Sequence, residues 1–290
     1  MAILLLAGGV IAGTTLWPIY RRLQIKEGRF AQTFCVGGLT GLVVCSLVAW
    51  WSGQELSAAP KSLAAGLVGG SLAVGALVVT MRCLRLGPIA STTIVNNLGL
   101  FWPVAFDGLL LRPRILSYCV IAGLVGTVVT FVLLGRRRLS GTEEQAAVRV
   151  SPVAVPWMIL LWGLSGMCMS AQTVGTFLEP GQSSTYMWGS SLAMVALLAR
   201  PWRWGAPHWY PYREEVLIGV LWGLFYTLGP VMFLQALVVL PAAMVYPVAV
   251  AGPAVLMVPI GALIYQQPMG RYGLIGAMLG ICSILAIAFG

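Results

Sequence analysis

The side chains with the clearest chemical potential are uncharged polar groups that interrupt long apolar segments. Asn96 and Asn97 are adjacent carboxamides in the middle of one such segment, and adjacent residues on a helix point in different directions. Each carboxamide offers hydrogen-bond donors and acceptors, which suits a neutral ligand that carries hydroxyl or amide groups. The other candidates for ligand contact are Thr14, Trp17, Gln172, Tyr226 and Tyr246. The alternative is that these groups only join helices to one another, with Tyr246 filling a kink beside Pro247.

Ionisable side chains are almost absent from the apolar segments. A charge inside a bilayer is costly, so the few that occur there point to function. Asp107 ends the fourth apolar segment near Arg112 and Arg114. It is therefore either part of an interfacial salt bridge or a site for a coupling proton or cation. Arg82 ends the third segment and is a candidate gate that could meet an anion.

The residue types that enzymes and metal sites need are missing from the sequence. His208 is the single histidine, and the six cysteines have no C-x-x-C spacing. No G-x-x-x-x-G-K-[ST] phosphate loop and no H-E-x-x-H motif occurs. We therefore expect no enzyme activity, no catalytic residues, no metal and no cofactor.

The composition excludes a water-facing surface of the usual kind. Only 9% of the 290 residues are charged and 59% are hydrophobic, with a mean hydropathy of +0.91. Soluble domains carry about 25% charged residues. The net charge of +9 does not predict a nucleic-acid partner, because the basic residues form short clusters between apolar runs. The sequence predicts a protein whose partner is the lipid bilayer.

The apolar runs divide the chain into ten segments of about the length that spans a bilayer. We therefore predict an all-α integral membrane protein with ten transmembrane helices. Six prolines inside the segments, at positions 18, 103, 230, 247, 253 and 259, are candidate hinges or kinks. The predicted segments are 2–20, 30–52, 62–81, 88–106, 115–134, 153–176, 184–199, 216–239, 242–265 and 272–289.

The basic residues alternate with these segments. Fourteen Lys and Arg residues fall on one side of the predicted membrane, and three fall on the other, namely Lys61, Arg112 and Arg114. By the positive-inside rule the richer side is cytoplasmic, which puts both termini on the outer side. Positive charge follows the first apolar run, at Arg21 and Arg22, so that run is expected to be a retained helix and no cleaved signal peptide.

The two halves of the chain are related by a shift of 153 positions. This shift pairs seven glycines, among them Gly66 with Gly219 and Gly70 with Gly223, and it pairs Pro88 with Pro241. About two glycine pairs are expected by chance. We predict two repeats, 1–134 and 153–290, joined by a polar cytoplasmic linker, 135–152. Five helices per repeat invert the second copy, as in many secondary transporters.

In its architecture, more than in a sharp motif, the sequence resembles the drug/metabolite transporter superfamily, ten-helix (EamA-like) type. The resemblance covers essentially the whole chain and rests on the five-plus-five layout and on residues 85–90, Arg-Leu-Gly-Pro-Ile-Ala, with their echo at 240–243. The first helix, with Gly13, Pro18 and the following Arg21-Arg22, is similar to the bacterial rhamnose and glucose/ribose uptake branch. It lacks the acidic residue that many members carry in this helix.

These observations predict a secondary transporter of the bacterial cytoplasmic membrane. Two inverted repeats would enclose a central cavity that binds a small, net-neutral polar metabolite and exposes it alternately to each side. A sugar-like solute is what the resemblance implies. The alternatives are an exporter of amino acids or hydrophobic drugs, and a membrane component that moves no soluble solute, such as a lipid-flipping subunit.

Overall fold

The computed structural model describes residues 1–25, 30–56, 59–86, 89–111, 118–135, 153–199, 213–263 and 271–289. Across these ranges all regular secondary structure is helical. The helices are α1 (Ala2–Ile25), α2 (Phe30–Ser52), α3 (Pro60–Leu86), α4 (Ile89–Leu98), α5 (Phe101–Phe106), α6 (Tyr118–Gly135), α7 (Ala154–Leu178), α8 (Ser183–Leu198), α9 (Arg213–Val239), α10 (Ala242–Leu263) and α11 (Arg271–Phe289). A short π-helical turn, Asp107–Leu111, follows α5.

Within the described ranges each predicted apolar segment forms helix, and local residues explain where several helices begin and end. Pro60 opens α3, and Pro241 immediately precedes α10, in keeping with the fixed φ of proline and its missing N–H. Gly53, with φ +67°, follows the end of α2, and Gly181, with φ +85°, lies between α7 and α8. Within the described ranges, the fourth predicted segment is the one that is divided, into α4, α5 and the π-helical turn.

Among the described residues, four helical segments are long and apolar enough to cross a membrane: Ala31–Ser52, Pro60–Cys83, Ala154–Leu178 and Arg213–Val239. Large apolar side chains lie on the outside of the molecule, including Leu4, Trp51 and Met278. Many hydroxyl groups are buried, as at Thr33 and Thr185, which are fully buried. This distribution fits a protein that is surrounded by lipid, because lipid offers polar groups no hydrogen-bond partner.

The helices form two compact units. The first contains residues 1–74 and 171–240, and the second contains residues 75–170 and 241–290. Each unit therefore combines segments from both halves of the sequence, and α3 and α7 each contribute to both. The units are groups of contacting helices, so they are not the two sequence repeats, which stay a prediction.

Glycines bring helix backbones together in the first unit. An added Cβ at Gly66 or Gly70 of α3 would overlap backbone atoms of α8, those of Tyr186 and Ser190 respectively. An added Cβ at Gly223 of α9 would overlap the backbone of Gly37 in α2 in the same way. The small-residue spacing thus allows close helix approach here, as in other membrane proteins.

In the second unit, helices also approach closely at glycines, and an apolar cluster adds to their packing. A Cβ added to Gly126 of α6 would overlap the hydroxyl of Ser283 in α11, and Gly280 of α11 lies against Thr130 of α6. The apolar cluster joins α3 to α7 and consists of Val79, Cys83, Ala154, Met158 and Leu161.

Candidate functional site

The fourth predicted segment is interrupted in its middle. Helix α4 ends at Leu98, and α5 begins at Phe101 after the turn Gly99–Leu100. The N–H groups of Gly99 and Leu100 donate to the carbonyls of Asn96 and Asn97, three residues back, at 3.2 and 3.1 Å. Such tight bonds replace the four-residue spacing of the α-helix at this point.

Pro103 explains the position of the break. It has no N–H to donate to the carbonyl four residues earlier, that of Gly99, and its ring clashes with that carbonyl in a regular helix. The N–H of Trp102 donates to the Gly99 carbonyl instead, at 3.1 Å. Pro230 lies within the continuous helix α9, so proline alone does not decide the outcome.

Helix α7 packs against the break and supplies the groups that hold it. The indole Nε1 of Trp162 donates to the carbonyl of Leu98 at 3.2 Å. Gly99 approaches the backbone N of Gly166 so closely that an added Cβ would lie 2.9 Å from it. Trp102 lies against Gly166 in turn, and its ring centroid is 5.2 Å from that of Trp162.

Asn96 is joined to α7 by its side chain. The hydroxyl of Ser165 donates to Oδ1 of Asn96 at 2.6 Å, while the Asn96 side chain is only half-buried. The carboxamide therefore has one fixed end, and the other end carries the donor group Nδ2.

Asn97 is buried differently from its neighbour. Only 7% of it is exposed, and no residue of the described ranges forms a hydrogen bond with its carboxamide. The Asn97 carboxamide carries donors and an acceptor, so it can hydrogen-bond a ligand.

The hydroxyl of Tyr246 bonds to a helix other than its own. Its hydroxyl donates across to the backbone carbonyl of Met169 in α7 at 2.7 Å, and 5% of the residue is exposed. This bond puts the tyrosine among the groups that tie α10 to α7. The described contacts assign it an interhelical role, and its ligand contact stays a prediction.

Asp107 is a buried residue, and its role as an interfacial or coupling group stays a prediction. It is 4% exposed, and its Oδ2 accepts a hydrogen bond from the backbone N–H of Ala242 at 2.7 Å. The carboxylate thus caps the first turn of α10, where the helix dipole favours a negative charge. The predicted partners Arg112 and Arg114 lie outside the described residues.

Arg82 is exposed, and it contacts an aromatic ring. Its guanidinium carbon lies 5.5 Å from the centroid of the Trp157 ring, which is cation–π geometry. A gating role for Arg82 stays a prediction.

The first unit contains an aromatic stack. Tyr226 lies on Trp222 with ring centroids 4.3 Å apart and planes 16° apart, and Phe34 meets the edge of Trp222 at 4.7 Å. Trp222 is fully buried, and its Nε1 has no hydrogen-bond partner in the part of the chain that is described. Tyr226 is half-buried, so part of its side chain stays accessible beside this support.

The other predicted ligand contacts of the first unit are less informative. Thr14 is buried, but its hydroxyl donates to Val10 of its own helix at 2.7 Å. Gln172 is half-buried in α7. Trp17 belongs to α1, and its side chain lies outside the described residues.

Comparison with known proteins adds a likeness of fold. No protein-family model and no curated protein matches the sequence. The chain is similar to a protein of known crystal structure with 19% sequence identity and a TM-score of 0.78, over 99% of this chain and 96% of that chain. At this identity the likeness establishes a shared fold alone.

Three residues of these sites were not among the sequence candidates: Trp162, Ser165 and Trp222. Trp162 and Ser165 are three positions apart, which places both on the same face of α7. Trp222 and Tyr226 are four positions apart on α9. A sequence signal for these residues therefore existed: each lies three or four positions from another polar or aromatic residue, on the same face of its helix.

The structure thus offers two groups of candidate contacts. The break between α4 and α5 offers hydrogen-bonding groups, and the stack of Phe34, Trp222 and Tyr226 offers an aromatic face. Asn96, Asn97, Tyr246, Asp107 and Arg82 belong to the second unit. Thr14, Trp17, Gln172 and Tyr226 belong to the first unit. The described ranges contain no group of three or more His, Cys, Asp or Glu that could hold a metal ion.

Proposed function

We propose that the protein is a secondary transporter of a bacterial cytoplasmic membrane, related to the drug/metabolite transporters, that moves a small, net-neutral polar metabolite by alternating access. The observation that carries the proposal is the interrupted helix α4–α5. It combines a fixed carboxamide at Asn96 with a buried carboxamide at Asn97 to which no described residue bonds.

An interrupted helix supports a binding role for a physical reason. Within a bilayer, irregular backbone is tolerated only where protein buries it or where it lines a water-filled cavity. Substrate sites of secondary transporters are commonly formed by such discontinuous helices. The presence of Asn96 and Asn97 in the last turn of α4 puts hydrogen-bonding side chains directly beside the break.

The expected charge of the substrate follows from the groups that are available. The carboxylate of Asp107 is occupied by the first turn of α10, and Arg82 lies over Trp157. The side chains closest to the break in sequence are uncharged. A cationic substrate would favour a carboxylate there and an anionic one a guanidinium, so a neutral solute such as a sugar fits best.

The proposed architecture has ten membrane spans in two inverted repeats. It is supported by contacts that recur at the spacing of 153 residues. Gly66 lies against Tyr186, and the positions 153 residues from them, Gly219 and Thr33, also lie against each other. In the same way, Gly70 lies against Ser190, and the positions 153 residues from them, Gly223 and Gly37, lie against each other.

The direction of equivalent helices supports the inversion. In the first unit α2 and its equivalent α8 run antiparallel, because Gly38 contacts Val195 and Gly41 contacts Ser191. In the second unit α6 and α11 are antiparallel in the same way: Gly126 contacts Ser283, and Gly280 contacts Thr130. Copies whose equivalent helices oppose each other enter a membrane with opposite orientations.

Uptake into proteoliposomes tests the proposal. Purified protein is expected to move a radiolabelled sugar from a panel of D-glucose, D-ribose and L-rhamnose without ATP. Asn96→Ala and Asn97→Ala are each expected to abolish uptake while the protein still folds. Ser71→Ala is the matched control, because this exposed hydroxyl bonds only to Leu67 of its own helix at 2.8 Å. Normal uptake by both asparagine variants would contradict the assignment of α4 to the binding site.

A second candidate function is favoured by the aromatic stack of Phe34, Trp222 and Tyr226. A half-buried tyrosine supported by a buried tryptophan is a suitable surface for a flat or apolar molecule. This feature is what an exporter of aromatic amino acids or hydrophobic drugs would need. In the same liposomes, transport of L-phenylalanine or ethidium that Tyr226→Ala removes, with no sugar uptake, would favour this candidate.

A further inference from the structure

Ser165 is one of the few helical hydroxyl groups in the described ranges, with Ser62 and Ser184, that donate outside their own helix. In a membrane helix a serine or threonine usually donates to the carbonyl four residues earlier. The hydroxyls that do so here include Thr14, Thr40, Ser46, Ser71, Thr80, Thr127, Thr130, Ser170, Thr176 and Ser283. The hydroxyl of Ser165 donates instead to another helix, to Oδ1 of Asn96 at 2.6 Å.

This bond fixes which end of the carboxamide is available. A carboxamide is planar, and its oxygen and nitrogen point in opposite directions. When Ser165 occupies Oδ1, the Nδ2 group of Asn96 is directed away from Ser165. No residue in the described ranges accepts a hydrogen bond from Nδ2, and Asn96 is only half-buried.

We propose that Ser165 is a positioning residue that makes Asn96 a hydrogen-bond donor to the substrate, and that the substrate therefore presents an acceptor oxygen at this contact. This inference rests on the proposed transport function and makes it more specific. A substrate hydroxyl accepts at Asn96 and does not donate there. A substrate that offers only an N–H or ammonium group at this position is excluded.

The surroundings favour a fixed amide over a rotating one. Gly99 approaches Ser165 so closely that an added Cβ would lie 3.1 Å from the serine Cβ, and it also contacts the backbone N of Gly166. The bond between Trp162 and Leu98 holds the same turn from the other side. Asn96 and Ser165 therefore belong to two segments in close contact, and the geometry of their hydrogen bond is supported by backbone packing.

Substrate analogues distinguish a donor from an acceptor at this contact. Replacing a sugar hydroxyl by fluorine retains a weak acceptor and removes the donor, whereas replacing it by hydrogen removes both. The measurement is binding to purified protein, by thermal shift and by displacement of the labelled parent sugar. The ligands are D-glucose, D-ribose and L-rhamnose together with their deoxy and deoxyfluoro derivatives at each hydroxyl, and transport of the parents is measured in parallel.

We expect the wild-type protein to show one hydroxyl position at which the deoxy analogue binds about tenfold more weakly than the parent, the value of one good hydrogen bond. At that position the deoxyfluoro analogue should lose at most about threefold. In Ser165→Ala the amide is free to rotate and can also turn its oxygen toward the substrate, so the difference between the two analogues should become smaller. Asn96→Asp should abolish the difference, because its second oxygen can only accept.

The control is Ser170→Ala, which removes a hydroxyl of the same helix that bonds to Gly166 of that helix at 2.9 Å. This variant should keep the wild-type difference between analogues. A general loss of stability would weaken all ligands together and would leave the ratio of deoxyfluoro to deoxy binding unchanged. The ratio therefore separates positioning of Asn96 from a structural effect.

The possible outcomes separate the role of Ser165 from the transport proposal. Transport of a parent sugar with equal binding of the deoxy and deoxyfluoro analogues at every position, or an unchanged ratio in Ser165→Ala, would overturn the role of Ser165 and leave the transport proposal intact. The expected binding ratios without any transport would support the donor assignment and overturn the transport proposal. Absence of binding by all of these sugars would overturn both.

Discussion

At the scale of single residues, the helices use the same side-chain types for two purposes. Most hydroxyls donate to their own helix, so their presence in an apolar segment costs little and predicts nothing about ligands. The exceptions are the side chains that reach another helix, as Ser165 reaches Asn96 and Tyr246 reaches Met169. The sequence identified Asn96 by its chemistry, but it could not separate Ser165 from the hydroxyls that bond locally.

Asp107 illustrates the same limit for a charged residue. Its place at the end of an apolar run predicted either an interfacial salt bridge or a site for a coupling proton or cation. One partner in the structure, the N–H of Ala242, is 135 residues away. Position in the chain thus indicated that the residue is unusual, while its interaction depended on the tertiary fold.

We expect Asp107→Ala to destabilise the protein by about 1–2 kcal/mol, since it removes the cap of α10. Asp107→Asn keeps an acceptor oxygen for the Ala242 N–H and weakens the attraction to the helix dipole, so about 0.5 kcal/mol of this contribution should be lost. Thermal unfolding of the purified variants measures both. Glu55→Ala, at an exposed position, is the control and should unfold like the wild type. Unchanged stability of Asp107→Ala would show that the cap is energetically unimportant.

At the scale of helices, the apolar runs predicted the elements well because lipid leaves little choice of structure. Backbone groups in a bilayer must bond within their own segment, so an uninterrupted apolar run becomes a helix. The break at Gly99–Leu100 was missed because Pro103 was one of six prolines inside such runs. Pro230 leaves α9 continuous, whereas Pro103 combines with close packing of α7 against Gly99. The packing of α7 against Gly99 involves residues far away in the sequence, so the sequence pattern around Pro103 does not show it.

Trp162 should stabilise this break through its bond to the carbonyl of Leu98. Trp162→Phe retains a large ring and removes the donor, so we expect a loss of about 1 kcal/mol and faster amide exchange at residues 99–102. Hydrogen–deuterium exchange detected by mass spectrometry measures the local effect. Trp157→Phe changes another tryptophan of α7 that contacts Arg82, and it should leave exchange at 99–102 as it is. Equal exchange at residues 99–102 in the wild type, Trp162→Phe and Trp157→Phe would show that Trp162 does not stabilise the break.

At the scale of the whole molecule, the predicted repeat of 153 residues rests on glycine pairs in the sequence. Two of these pairs, Gly66 with Gly219 and Gly70 with Gly223, lie against backbone atoms of a neighbouring helix at both positions. The compact units could not be predicted in the same way. Each unit combines helices from both halves, and periodicity within one half carries no information about contacts with the other half.

If the two halves are equivalent, Gly70 and Gly223 should respond equally to substitution. An added Cβ would overlap the backbone of Ser190 in the first case and that of Gly37 in the second. Backbone atoms cannot move aside cheaply, so Gly70→Ala and Gly223→Ala should each cost about 1–3 kcal/mol. Gly163→Ala is the matched control, because nothing lies within 4 Å of the added Cβ. That variant should gain up to about 1 kcal/mol from helix propensity. Thermal unfolding of the three variants gives the comparison. A large loss at Gly70 with none at Gly223 would contradict the equivalence of the two contacts, and with it the inverted repeat on which alternating access depends.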